Sequence, residues 1–339
     1  MLIDFNNLKI NNLDSQTEFE KKVIFFLEEW LSDSVMVNVQ TSGSTGSPKV
    51  FGIEKKKMIN SATMTCDFLR LKEGYTALLC LPAEYISGKM MVVRSFVRKM
   101  KLFIADPSLK PLETLGKEVD FCAMTPLQVE NSLDKLHLVR NLIIGGASVS
   151  ESLKKRISNL KINIYETYGM SETLSHIGLK QLAPVTEDYF TVFENVSISK
   201  DERGCLTVFA PDLNAEVLRT NDLVEIKNEK QFRFLGRIDN VINSGGAKIF
   251  PEELEALVKK EIPHEAVFLG LKDESLGQKL ILIIEAEQSD EIIRKISEIP
   301  YEKSFHKPKE IFFINAIPRT PNGKVNRLEL YKKINGDEK

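Results

Sequence analysis

The chain has 339 residues, 42% of them hydrophobic and 28% charged, with a formal net charge of −2. That length holds two or more domains with a sizeable core, and the charge balance gives no electrostatic case for nucleic acid or an anionic membrane. Cys66, Cys80, Cys122 and Cys205 lack metal-ligand spacing and sit in apolar segments. They read as buried free thiols of a reducing compartment. With no signal-like start and no membrane-length apolar run, the expectation is a cytoplasmic protein without membrane insertion.

Ser15-Gln16-Thr17-Glu18 has the form of a capping box, and Phe19, Val23, Ile24, Phe26, Leu27 and Trp30 repeat behind it at helical spacing. Val35–Val39 alternates as a strand, and 54–70 reads as a helix. Between them lies Thr41-Ser42-Gly43-Ser44-Thr45-Gly46-Ser47-Pro48-Lys49. Glycines let backbone N–H groups converge on an anion, and hydroxyls and Lys49 add donors and charge. A Walker loop fails twice here: Pro48 stands where its second glycine belongs, and Val50 follows the lysine.

From 54 to about 165, helices predicted near 86–98, 126–134 and 151–159 alternate with apolar strands at 77–81, 101–104, 121–124 and 142–144. That alternation predicts a mostly parallel, helix-covered sheet. Short alternating segments between 190 and 235 predict antiparallel, barrel-like pairing. A helix from Pro251, strands near 266–271, 280–286 and 310–314, and a helix at 289–297 form a small α+β unit. The fold class expected is α/β, with a large N-terminal domain over 1–236 and a small C-terminal domain over 237–339.

Four further motifs come in order. They are Tyr165-Glu166-Thr167-Tyr168-Gly169-Met170-Ser171-Glu172-Thr173, Leu218-Arg219-Thr220-Asn221-Asp222, the run from Gly236-Arg237-Ile238-Asp239 through Ser244-Gly245-Gly246-Ala247-Lys248 to Glu253, and Pro318-Arg319-Thr320-Pro321-Asn322-Gly323-Lys324-Val325. From about residue 35 to 330 the chain resembles the adenylate-forming superfamily of acyl-CoA synthetases, luciferases and peptide-synthetase adenylation domains.

The resemblance implies ATP, Mg²⁺ and coenzyme A as reactants and cofactor, and a small carboxylic acid as substrate. A carboxylate attacks the α-phosphorus of ATP, and a thiol then displaces AMP. It implies nucleotide contacts from Thr41, Ser42, Gly43, Ser44, Thr45, Gly46, Lys49, Gly146, Ala147, Glu166, Thr167, Tyr168, Gly169, Asp222 and Arg237. Glu172 suits a hard metal ion, and Ser171 can donate to phosphate. Lys324 would bridge carboxylate and α-phosphate as charge builds. It further implies a C-terminal domain that turns at Asp239 and presents Ser244, Gly245, Gly246 and Lys248 to coenzyme A in one orientation. A homodimer is an assembly the resemblance leaves open.

Two departures stand out. Forty residues precede the phosphate loop, where the family carries a longer region, so a reduced N-terminal subdomain is expected. The third motif is Thr-Asn-Asp where the family has Thr-Gly-Asp. Asn tolerates unusual backbone angles, so Asp222 is expected to keep its role.

The stretch Tyr85 to Ser95 holds no carboxylate but carries Lys89 and Arg94. That rules against an amino-acid substrate and suits a second substrate carboxylate. Tyr85 stands where family members often have histidine. With Gly145-Gly146-Ala147 and Ser175, these residues most resemble the o-succinylbenzoate–CoA ligases of menaquinone biosynthesis, in which the position of Arg94 handles the benzoate carboxylate and Ser175 lines the same end. Tyr85, Lys89, Arg94, Gly145 and Ser175 are the acyl-site candidates. Another aryl- or acyl-CoA ligase, a carrier-loading adenylation module and a non-catalytic relative stay open. His176 reads as a hydrogen-bonded structural histidine rather than an acid.

Overall fold

The computed structural model describes residues 1–40, 50–319 and 325–336. The candidates Thr41, Ser42, Gly43, Ser44, Thr45, Gly46, Lys49 and Lys324 lie outside the described residues.

Five neighbouring strands of the large sheet run parallel, in the order Lys101–Ile104, Thr76–Leu79, Val119–Met124, Val139–Ile144 and Asn163–Gly169. Alternate side chains point to opposite faces, and both faces are covered. Leu78, Cys122, Leu142 and Ile144 pack with Val129, Leu153 and Ile157 from the helices Pro126–Glu130 and Glu151–Ile157. Ala77, Leu79, Phe121 and Ile143 pack with Phe26, Trp30, Met58 and Met91 from the helices Glu18–Leu31, Lys55–Phe68 and Ile86–Val97. All four cysteines are buried free thiols. Strand Leu2–Asp4, which has no marked sequence signal, pairs antiparallel along Lys101–Ile104.

Beyond Asn163–Gly169 the same sheet turns antiparallel through His176–Ala183, Phe190–Val192, Gln231–Arg237, Asn214–Asn228, Cys205–Ala210 and Ser197–Lys200. The segments expected to pair in a barrel-like region thus continue the large sheet along one hydrogen-bonded path.

The first cap differs from expectation. Thr17, not Ser15, is the cap: its hydroxyl accepts from the Glu20 N–H at 3.2 Å. Glu20 reaches back to the Gln16 N–H at 2.6 Å. The reciprocal pattern is shifted by two residues because Glu18 already lies inside the helix.

The second sheet orders Ala247–Ile249, Ile242–Ser244, Gly277–Glu285 and Ala266–Asp273, with Glu310–Ile314 parallel to Gly277–Glu285. Leu254, Val258 and Ile296 of the helices Pro251–Glu261 and Asp290–Glu298 pack on one face. Leu330 of the helix Arg327–Asn335 packs on the other. Among the described residues Ala266–Asp273 is an edge strand, and side chains cap its backbone on the unpaired side. Phe268 N–H donates to Glu255 at 2.8 Å, and its carbonyl accepts from Arg327 at 2.9 Å. Arg327 also donates to both Glu255 oxygens, at 2.9 and 2.8 Å. Edge backbone needs such cover. Burial pushes the Glu255 carboxyl up to about 7, against the pull of Arg327.

Removing one partner of a desolvated pair strands the other. Arg327→Met is therefore expected to destabilise by about 3 kcal/mol in chemical denaturation, with Arg327→Met/Glu255→Leu recovering most of the loss. A single-variant loss below about 1 kcal/mol would mark the pair as an ordinary solvated contact.

Candidate active site

A parallel sheet buried on both faces offers polar chemistry room at its strand ends. The carboxyl ends of Thr76–Leu79, Val139–Ile144 and Asn163–Gly169 lead respectively to Tyr85, to Gly145-Gly146-Ala147 and to Ser171-Glu172. Tyr85 precedes the helix Ile86–Val97 and bridges to Gln40, the last described residue before the 41–49 loop. Gly145 is required by close approach: a Cβ there would lie 2.8 Å from the Thr167 hydroxyl.

Ser171 and Glu172 stand exposed on the short turn Ser171–Thr173. Buried Thr173 shapes the backbone after that turn. Its hydroxyl donates to the Ser175 carbonyl at 2.8 Å and accepts from the Met170 N–H at 3.2 Å. Leu174 between them holds φ 67° and ψ −45°, and the Ser175 N–H closes on the Thr173 carbonyl at 2.7 Å. This γ-turn is a strained conformation for a leucine, and it delivers Ser175 to Arg94.

Arg94 is 2% exposed. One guanidinium nitrogen donates to the Ser175 hydroxyl at 3.1 Å, and Nε has no hydrogen-bond partner. Among the described residues it has no carboxylate partner. Burial pulls its pKa down to about 10. His176 is buried beside it, with Nε2 3.0 Å from the Thr65 hydroxyl and Nδ1 3.4 Å from Ser175. Burial, then the Arg94 charge, hold the imidazole well below its ordinary value, so it is neutral.

Lys89 is not gathered with Arg94. Its ammonium lies 4.1 Å from the centre of the Phe26 ring, with Glu29 and Glu84 supplying the nearby charge, and burial lowers its pKa. The two residues leave one helix on different faces.

Asp222 is the second focus. The Tyr168 hydroxyl donates to one oxygen at 2.5 Å and Arg237 to the other at 3.0 Å. Burial and then the Asp222 charge push the Tyr168 phenol far up, so it remains a donor. The Tyr168 ring packs edge-on to Phe232 at 4.8 Å. Asp222 is aimed by a bulge: between the pairs Cys205–Leu223 and Thr207–Arg219, Leu206 alone stands opposite Thr220, Asn221 and Asp222. The buried Thr220 hydroxyl fixes the turn by accepting from the Asp222 N–H at 3.0 Å and donating to Leu206 at 2.8 Å. Asn221, inside this bulge, has no positive φ. The expectation that it serves through unusual backbone angles is corrected: its side chain makes the contacts.

Glu166 is occupied by the protein. It accepts from the Val149 N–H at 3.1 Å and pairs with Lys180 at 2.9 Å. It braces the turn that carries Gly146 and Ala147. Gly169 ends the strand that also holds Thr167. Ser244 and Lys248 flank the tip of a hairpin in the second sheet, where Gly245 and Gly246 take φ of +56° and +81°. Two positive-φ residues make the turn that joins such short strands. Asp239 lies in the turn Ile238–Asn240 just after Arg237.

Thr65, Lys180 and Arg203 escaped the sequence reading, because their partners His176, Glu166 and Asn221 lie on other segments of the chain; Thr173 stood in its motif without a role, although its contacts are local. The candidate metal ligand Glu172 is an exposed carboxylate on a turn. Among the described residues no group of three acidic, cysteine or histidine side chains could hold an ion. One carboxylate plus phosphate oxygens and water is the usual magnesium arrangement, so the residues fit it.

The model of a family described as AMP-binding enzyme matches residues 4–199. A 2-succinylbenzoate–CoA ligase of Geobacillus sp. is 24% identical, the match covering 98% of this chain and 76% of that one. An acyl-CoA synthetase (AMP-forming)/AMP-acid ligase II-like protein from Dyadobacter fermentans is 33% identical, covering 96% and 97% of the two chains at a TM-score of 0.66. The o-succinylbenzoate coenzyme A synthetase of Bacillus subtilis, solved with ATP and magnesium, shares the fold at a TM-score of 0.73 and 21% identity, covering 86% of this chain and 69% of that one.

The unfolded chain protonates histidine near 6.5 while folded His176 resists it. The unfolded state therefore binds more protons below that pH, and stability is expected to fall as pH drops below about 6.5. His176→Gln should flatten that slope in urea midpoints between about pH 5 and 7. An unchanged slope would assign it to other groups.

Proposed function

The chain belongs to the AMP-binding enzyme family, and from that premise we propose that it is an ATP-dependent ligase that joins 2-succinylbenzoate to coenzyme A in menaquinone biosynthesis. The observation that carries the substrate is Arg94. A buried guanidinium with a hydroxyl for company and no carboxylate partner among the described residues is costly unless an anion completes it. An acid with a second carboxylate supplies that anion. Relatives named 2-succinylbenzoate–CoA ligase support the same choice.

In the first step the succinyl carboxylate attacks the α-phosphorus of ATP, and pyrophosphate leaves. Asp222 accepts from the ribose hydroxyls, with Arg237 and Tyr168 fixing its two oxygens, and Tyr168 borders the adenine. Gly146 and Ala147 form the turn beside the nucleotide. Glu172 would hold magnesium, which neutralises polyphosphate charge when bound. The 41–49 loop, Ser171 and Lys324 donate to phosphate, Lys324 most strongly as charge grows in the transition state. In the second step the coenzyme A thiolate attacks the acyl carbonyl, and the carbon–oxygen bond to AMP breaks. The unit from 237 onward turns at Asp239 between steps, exchanging Lys324 for the hairpin at Gly245-Gly246.

The test is pyrophosphate release with MgATP and coenzyme A over 2-succinylbenzoate, benzoate, a medium-chain fatty acid and phenylalanine. Selectivity for 2-succinylbenzoate is expected. Preference for another acid would overturn the substrate, and thioester formed on a carrier protein but not on coenzyme A would overturn the acceptor. Arg94→Ala is expected to raise KM for 2-succinylbenzoate about a hundredfold, roughly 2.7 kcal/mol of lost binding, with KM for ATP nearly unchanged. Equal KM values for the acid would remove Arg94 from the site. Lys324→Ala is expected to slow adenylation by a factor of about 100 or more while sparing thioester formation from supplied acyl-adenylate. Equal loss in both steps would refute the two-orientation scheme.

A further inference from the structure

Asn221 is the residue by which the third motif departs from the family pattern, and its side chain reaches the expected pivot. Its amide nitrogen donates to both Asp239 oxygens at 3.1 Å. Its amide oxygen accepts from Arg203 at 3.0 Å. Arg203 is itself fixed, donating to the Thr220 carbonyl at 2.8 Å and pairing with Asp201 at 2.8 Å. From the other side Arg237 donates to Asp239 at 2.9 Å while holding Asp222 at 3.0 Å. The Asp239 carboxylate is thus held by groups anchored in the large sheet, and a glycine at 221 could supply no such hold.

We propose that Asn221 is a positioning residue that latches Asp239 to the large sheet and so biases the orientation of the unit beyond it. The inference rests on the reading that this unit turns at Asp239. The latch is weak because its surroundings are wet. Side chains of Arg237 and Asp239 are about half exposed, at 47% and 52%, so water competes for each bond. A contact of that kind shifts a balance between two orientations without freezing either. Because Arg237 is shared, releasing Asp239 also frees one of its hydrogen bonds beside Asp222, tying the pivot to the nucleotide end of the site.

The experiment uses the full chain with spin labels at Asn159→Cys and Ser297→Cys, both exposed positions, the native cysteines being buried. Pulsed-EPR distance distributions are recorded for this background and for Asn221→Gly, without ligand and with MgATP. Asn221→Gly is expected to change the ratio of the two populations about fivefold and to move the rates of adenylation and of thioester formation from supplied adenylate in opposite directions, with KM for ATP held within twofold. Asn221→Asp, which sets a carboxylate against Asp239, should act in the same sense and further. Distributions that match the Asn221 background would overturn the latch, as would a raised KM for ATP with both half-reactions falling together. Failure of the ligase reading appears separately, as absent pyrophosphate release by the unsubstituted protein, and leaves the distance measurement decisive for the latch.

Discussion

A sheet walled by apolar side chains on both faces is the constraint from which the site follows. Leu78, Cys122, Leu142 and Ile144 face one layer of helices, and Leu79, Phe121 and Ile143 face the other, so polar chemistry has little room along the strands. It collects where strands end. Tyr85, Gly145–Ala147 and Ser171–Glu172 come from segments far apart in sequence, yet each follows the carboxyl end of a strand in the same parallel array. The register of those strands converts three separate motifs into one rim.

Two opposite electrostatic problems sit along that rim. Asp222 is an anion already supplied with donors, Tyr168 at 2.5 Å and Arg237 at 3.0 Å. Arg94 is a cation buried with a hydroxyl and a neutral histidine. Neutrality of His176 matters, because a second positive charge there would raise the cost of burying the first. The proposed acyl-adenylate answers both ends: its ribose hydroxyls donate to Asp222, and its free carboxylate neutralises Arg94.

The parallel alternation was legible because strands buried on both faces read as apolar runs, and helix positions followed from their spacing. Arg94 was marked because the stretch Tyr85–Ser95 carries cations and no carboxylate, and its burial makes that charge need explaining. Lys89 met the same criterion and led elsewhere, since five residues along a helix turn a side chain well away from its neighbour, and Phe26 receives it. The shift of the cap from Ser15 to Thr17 turned on which acidic residue lay one turn in, and a string with Glu18 and Glu20 two places apart does not choose. The bulge at Thr220–Asp222 left no mark in sequence, because it depends on the register of Cys205–Ala210, and Glu166 was hidden likewise by Lys180 on the next strand.

Motion at Asp239 would be useful only if the unit beyond it moves as one body. The side chains supply that link. Asn240, inside the turn, donates to Glu252 at 2.6 Å. Glu252 lies in the first turn of the helix whose Glu255 is clamped by Arg327, and Arg327 also approaches Glu252 at 3.9 Å. Arg327 opens the helix that comes after the segment of Lys324. The hairpin of Gly245-Gly246 hydrogen-bonds through the Gly245 N–H to Leu276 at 2.8 Å, beside the same sheet. In the proposed scheme a rotation at Asp239 would therefore carry the hairpin and the helix Arg327–Asn335 together. One degree of freedom would then suffice for the proposed exchange, and the carboxylate at the proposed axis is where Asn221 reaches.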